Sequence, residues 1–134
     1  IRAARAADAD RLREIARAAK AHWGYNEPRV RAWAAALPLP PESDRWVAEA
    51  DGELVAWAEL APPLAGVCTL DDMWVEPAWM GRGIGTRLFA VAVGRARELG
   101  AERVEWGTEP NAVGFYERLG ARLRHAAIGV VQRQ

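Results

Sequence analysis

Gly81, Gly83 and Gly85 stand at alternate positions in "WMGRGIGTRLF", residues 79–89, just before a run with helical periodicity. Glycine tolerates positive backbone angles and lets a ligand approach the chain closely. The first amides of a helix have no intrahelical acceptor and sit at the positive end of its dipole, which suits an anion. Arg82 adds a positive charge inside the same loop. Three chemistries compete for such a segment: a plain turn, a dinucleotide pyrophosphate, or the pyrophosphate of another cofactor. A plain turn needs one or two glycines, not three. A nucleoside-triphosphate loop needs Gly-Lys-Ser/Thr, and Gly85-Thr86 lacks the lysine. A dinucleotide loop gains from Glu105, roughly twenty residues on, where an acid would meet ribose hydroxyls. It loses from Thr86 in place of a third glycine, and from "EPAWM" between the strand and the loop.

Asp71 and Asp72 sit together in the apolar segment "VCTLDDMWV", residues 67–75. Burying an acid is costly unless it faces water or a partner. Alternation groups Asp71 with Thr69 and Met73, and Asp72 with Cys68, Leu70 and Trp74; a bulge would change either assignment. Near the first two helices, His22, Trp23, Tyr25 and Trp33 offer a basic ring and aromatic faces suited to an organic cation, although tryptophans at helical spacing equally suit a core. Cys68, the single cysteine, excludes an internal disulfide and a cysteine-cluster metal site, and reads as a buried strand residue.

The elements that must position these residues are legible in order. "IRAAR" reads as a short strand. A helix follows with Ala9, Leu12, Ala16, Ala19 and Trp23 on one face, Asp8 as N-cap and Gly24 as stop. A second helix, "NEPRVRAWAAAL", has Asn26 as cap and Val30, Trp33, Ala34 and Leu37 on one face. "RWVAEADGELVAWAEL" is a hairpin turning at Asp51-Gly52, and residues 67–75 form a third strand closed by Pro77. Helix 84–99 carries Ile84, Leu88, Val91, Ala92, Ala96 and Leu99, and Gly100 ends it. "ERVEW" is a strand, and "PNAVGFYERLG" a short helix with Ala112, Phe115, Tyr116 and Leu119 together. The tail after Gly120 has room for one full strand or two very short ones. The order β-α-α-β-β-β-α-β-α-β specifies a mixed α/β sheet with no repeat and no domain boundary across residues 1–134.

"MWVEPAWMGRGIGTRLF" resembles the acetyl-CoA-binding segment of the GNAT N-acetyltransferase superfamily, where Gln/Arg-x-x-Gly-x-Gly/Ala follows a strand and opens a helix. Downstream, "PNAVGFYERLGA" resembles that superfamily's second signature, an asparagine followed by Phe-Tyr-x-x-x-Gly. The resemblance implies an acyl-CoA N-acyltransferase fold over nearly the whole chain, with acetyl-CoA as co-substrate. The strand before the loop would splay from its neighbour, and pantetheine would lie in the gap against backbone groups of Met73 and Val75. Amides of Gly81, Arg82, Gly83, Ile84, Gly85 and Thr86 would hold the pyrophosphate, and Asn111 would join the cofactor site. Met80 departs from the pattern, since glutamine or arginine usually stands there. Tyr116 matches the tyrosine that protonates the departing thiolate. "LDDMWV" resembles the Leu-Glu-Asp strand of polyamine-type members, which makes Asp71 the base and leaves Asp72 to the substrate. His22, Trp23 and Tyr25 fall where the acceptor site is walled.

The implied activity is direct acetyl transfer to a primary amine of a small molecule or peptide; the rival is a non-catalytic acyl-CoA-binding module on the same fold. The aromatics and acids hint at a cationic acceptor. Of the 134 residues 51% are hydrophobic and 27% charged, which excludes disorder. Zero net charge and no long apolar run argue for no nucleic-acid and no membrane partner, and for a cytoplasmic protein. Homodimers are common in the superfamily, which makes a homodimer compatible with this sequence.

Overall fold

The alternating runs pair into a sheet, and the helical runs bury their apolar stripes on its two faces. The computed structural model describes residues 1–107, 122–125 and 128–132. Its elements are β1 (Arg2–Ala3), α1 (Ala9–His22), α2 (Glu27–Ala35), β2 (Asp44–Ala50), β3 (Glu53–Leu60), β4 (Val67–Val75), α3 (Ile84–Glu98), β5 (Arg103–Gly107), β6 (Arg122–His125) and β7 (Ile128–Gln132). The strands form one mixed sheet in the order β1-β2-β3-β4-β5-β7-β6. Every neighbouring pair is antiparallel except β4 and β5, which run parallel with α3 as their crossover. The mixed α/β architecture is the one expected from the sequence.

One face of the sheet is covered by α1 and α2. Leu12, Ile15 and Ala16 pack with Leu37, Val47 and Trp57, and Trp33 and Trp74 lie against them. Trp57 is fully buried and its indole donates to the Leu12 carbonyl at 2.8 Å, which pins α1 to the sheet. Replacing such a side chain by alanine costs on the order of 3–5 kcal/mol. The α1 stripe runs through Leu12, Ile15, Ala16 and Ala19. Trp23, expected on that stripe, lies past the helix end and is exposed. Asn26 caps α2 as expected, its side chain accepting from the Arg29 amide. Asp8 instead turns back to accept from the Arg5 amide and from Arg2.

The opposite face is covered by α3. Leu88, Phe89, Ala92, Val93 and Ala96 are buried against Val55, Ala58, Leu60, Cys68 and Leu70. Val91, assigned to that stripe by spacing, is half-buried, and Phe89 and Val93 take the inner positions. The hairpin turns at Asp51-Gly52 with both φ angles positive, 54° and 80°, as a two-residue turn of this twist requires. The tail forms the two short strands β6 and β7, of which β7 pairs with β5. The expected helix "PNAVGFYERLG", with Asn111 and Tyr116, lies outside the described residues.

Candidate active site

β4 and β5 are paired at Val67, Cys68 and Thr69 and no further, although β4 continues to Val75 and β5 to Gly107. The strands therefore part beyond Thr69 and leave a gap along one edge of β4. The Glu76 amide donates to the Val55 carbonyl at 2.8 Å on the β3 side. Backbone groups alternate along an extended strand, so those of Val75 and Met73 face the gap.

The glycine loop closes one end of that gap. After a single 3-10 turn at Pro77–Trp79, Gly81 and Gly83 carry the chain through the left-handed region, with φ of 76° and 85°, into α3. Among the described residues a Cβ on either would meet nothing within 4 Å. The backbone angle thus demands glycine, with no crowding from the described residues. The N-cap, Gly83, has no side chain to cap α3, so among the described residues its first amides are open to solvent or a ligand. The Arg82 guanidinium rests 4.7 Å from the Trp79 ring centroid, which keeps a cation beside those amides. This donor set fits a pyrophosphate.

Acids dominate the other side of β4. Leu60 pairs with Leu70 and Glu59 with Asp72, so Asp71 is an extra residue in β4, a β-bulge. The bulge reverses the alternation beyond it. Cys68 and Leu70 face α3, and so do Met73 and Val75, while Trp74 faces α1 and α2. Strict alternation would put Asp72 with Cys68, Leu70 and Trp74; the bulge keeps it with Trp74, whose indole donates to Asp72 Oδ1 at 2.9 Å, but moves both to the face opposite Cys68 and Leu70. Asp71 is exposed at the bulge.

Asp72 ends a row of charges that crosses three strands. Arg45 on β2 is in register with Glu59 on β3, and Glu59 with Asp72 on β4. Glu59 is 2% and Asp72 8% exposed. Glu59 accepts from Arg45, which also donates to the Pro40 carbonyl. Burial pushes the Asp72 carboxyl up to about 7; the Trp74 hydrogen bond and Arg45 oppose this, and the charges of Glu59 and Asp71 add to it. Burial likewise raises Glu59 against the pull of Arg45, and partial desolvation at the bulge raises the exposed Asp71. A carboxyl poised near neutrality can accept a proton from an amine and give it up again at little cost.

An aromatic wall stands against this row. Trp33 on α2 meets Trp74 edge-on, with centroids 5.3 Å apart. Lys20 Nζ lies 4.2 Å from the Trp33 centroid and 5.4 Å from that of Tyr25. His22 and Trp23 contact each other edge-on further out, both exposed. Tyr25 therefore joins Asp72 through Lys20, Trp33 and Trp74, whereas His22 and Trp23 form a separate surface pair. Among the described residues no cluster of histidine, cysteine and acidic side chains is arranged to hold a metal ion.

The family model described as the Acetyltransferase (GNAT) family matches residues 9–121. The chain belongs to the GNAT acetyltransferase family. Over 91 residues it is 35% identical to the uncharacterized N-acetyltransferase YjgM of Escherichia coli, covering 63% of this chain and 54% of that protein. Over 116 residues it is 35% identical to the mycothiol acetyltransferase of Nocardia farcinica, covering 85% of this chain and 37% of that one. The chain thus spans about half the length of the first relative and just over a third of the second. A GNAT-family acetyltransferase from Brucella melitensis, solved with acetyl-CoA, superposes with a TM-score of 0.73 at 25% identity, covering 99% of this chain and 86% of that one.

Within a GNAT domain the dinucleotide reading falls away, and Glu105, its only support, is ion-paired with Arg103 at 3.0 Å on β5. Sequence reasoning passed over Glu59, Arg45, Lys20 and the part of Trp74 at Asp72. A signal for Glu59 was available, since it is the lone acid in the apolar run "LVAWAEL". Nothing in the local sequence pairs it with Arg45 or Asp72.

Proposed function

We propose that the chain transfers the acetyl group of acetyl-CoA directly to a primary amine of a small molecule or peptide. The observation that carries this reading is Asp72, buried at the β4 bulge where β4 and β5 part, with a carboxyl poised at about 7. Bound acetyl-CoA supplies a thioester whose acetyl carbon bonds the amine nitrogen as its bond to sulfur breaks. The chain's part is to hold, orient and move protons. Gly81 to Thr86 cradle the pyrophosphate, and the gap edge of β4 at Met73 and Val75 aligns the pantetheine arm. Asp72 takes the proton that an ammonium must lose before its nitrogen can attack. Asp71, favoured as base by the resemblance, faces solvent beside the bulge, and we assign it to the rim of the acceptor site. Tyr116 retains, from its motif, the role of proton donor to the thiolate; a free thiol has a pKa of about 8.5, so this donor assists without being indispensable.

Direct transfer is supported by Cys68. The single cysteine is buried in the core and burial pushes its thiol up, which makes it a poor nucleophile for an acetyl-enzyme. On the sequence, Met80 in place of glutamine or arginine, and the short tail after Gly120, favour the rival reading as a non-catalytic acyl-CoA-binding module; the tail nonetheless forms β6 and β7. Calorimetric titration with acetyl-CoA, with NADPH as control, followed by thiol release across a panel of amines, separates the two. Acetyl-CoA binding with amine-dependent thiol release is the expected result. Binding without release by any amine would leave the binding module, and no binding would overturn both.

A further inference from the structure

We propose that the acceptor is an amine that also carries an anionic group, and that Lys20 receives that group. The inference rests on the acetyl-transfer reading above and concerns the same site. Among the described residues every ion pair uses an arginine, and no carboxylate pairs with Lys20, the only lysine in the chain. The residue is half-buried, and among the described residues its ammonium lies over the ring faces of Trp33 and Tyr25. Aromatic faces offset part of the lost hydration of a cation, on the order of 0.5–2 kcal/mol. Ring faces offer no acceptor to its three N–H donors, and among the described residues no carboxylate does either. Such a group is held in place and open to an anion.

Its position relative to the acid row gives the class of ligand. Lys20 lies against Trp33, Trp33 against Trp74, and the Trp74 indole donates to Asp72. A cation and an acid thus stand at opposite ends of one aromatic wall. A molecule complementary to that wall presents its amine to Asp72, an apolar body to the two indoles, and a carboxylate or phosphate to Lys20. A diamine would bring its second charge against Lys20, which opposes the simpler expectation of a purely cationic acceptor.

The test is a matched panel read by thiol release with saturating acetyl-CoA: short ω-amino acids and dipeptides, each beside its carboxamide. The expected result is a KM at least about tenfold lower for the free acid in one or more pairs, a difference of about 1.4 kcal/mol. In Lys20→Met that ratio should collapse toward one, and Lys20→Arg should restore it. Circular dichroism checks that both variants are folded. Equal KM values for acids and amides in the native chain would overturn the inference while leaving acetyl transfer standing. So would a Lys20→Met variant in which both KM values rise together and the ratio survives, since that is the mark of packing alone. Thiol release with diamines but not with the acids would also overturn it. Failure of every amine would overturn the transfer reading, and this inference with it.

Discussion

The two sides of β4 are built from different materials. Toward α3 and the gap, the candidate cofactor half consists of backbone: two glycines at positive φ, the uncapped start of a helix, and a strand edge left free where β5 departs. Toward α1 and α2, the candidate acceptor half consists of side chains: Arg45, Glu59 and Asp72 in register across three strands, with Trp33, Trp74 and Lys20 against them. A backbone cradle depends on angles and survives most side-chain changes, provided the glycines remain. A charge row depends on every member, because burial raises each carboxyl and its charged neighbours adjust it further. Changes in the first half should therefore act on cofactor binding, and changes in the second on turnover and its pH dependence.

The largest break is expected at Asp72. Asp72→Asn keeps an acceptor for the Trp74 indole and removes the proton acceptor, so kcat should fall on the order of 10²–10⁴-fold while acetyl-CoA affinity holds. Asp71→Asn, at the exposed bulge, should stay within about threefold of the native rate, as expected for a solvated charge. The reverse ranking would return the base to Asp71. In the native chain, turnover should rise with pH through about 7 as Asp72 loses its proton. Stability should move the other way. Asp72 binds its proton more tightly folded, at about 7, than at its ordinary 3.8, so its penalty is absent below the lower value and grows as pH rises through that window. One pKa unit being about 1.4 kcal/mol, Asp72→Asn should stabilise the fold by up to about 4 kcal/mol at pH 8 and by little at pH 4. Thermal melts at the two pH values check this.

The same contrast explains what could be read from the sequence. The glycine loop and the helix start that follows it were legible because they lie within one short stretch and depend on residue type alone. The hairpin at Asp51-Gly52, the cap at Asn26 and the limits of β4 were legible for the same reason. The acid row was not. A single extra residue, Asp71, reverses the facing of everything after it in β4, and alternation has no means of locating that residue. Glu59 and Arg45 come from other strands and meet Asp72 only through register. Lys20 carries no motif, and its place over Trp33 depends on how α1 and α2 pack. Asn111 and Tyr116 were named by motif alone and lie outside the described residues.

A smaller effect, confined to the other half, is expected at Gly83. Valine there faces a φ of 85°, which costs about 1–3 kcal/mol for a branched side chain. Among the described residues its Cβ meets nothing within 4 Å, so the fold should survive. Turning one or two amides away from the pyrophosphate should weaken acetyl-CoA binding roughly 10–100-fold by calorimetry, at about 1.5–3 kcal/mol for hydrogen bonds to a charged group. If Gly83→Val binds as the native chain does, the backbone cradle is not the cofactor site.

The finest test of the comparison sets two neighbours of Asp72 against each other. The Glu59 charge raises the Asp72 carboxyl and the Arg45 charge lowers it. Glu59→Gln removes a negative neighbour and leaves the Arg45 cation, so the acid limb of the pH–rate profile should move to lower pH. Arg45→Met leaves Glu59 without its counter-ion and should move the limb to higher pH. That second shift should be the smaller, because an unpaired Glu59 is easier to protonate and then carries less charge, and breaking the pair should also lower stability, by about 3–5 kcal/mol where the carboxylate stays charged. A packing change in the core would shift melting temperature without moving the limb, or would move it in one direction for both variants. Opposite movements of the limb, with acetyl-CoA affinity unchanged in both, are what a row of interacting charges on the acceptor side of β4 produces.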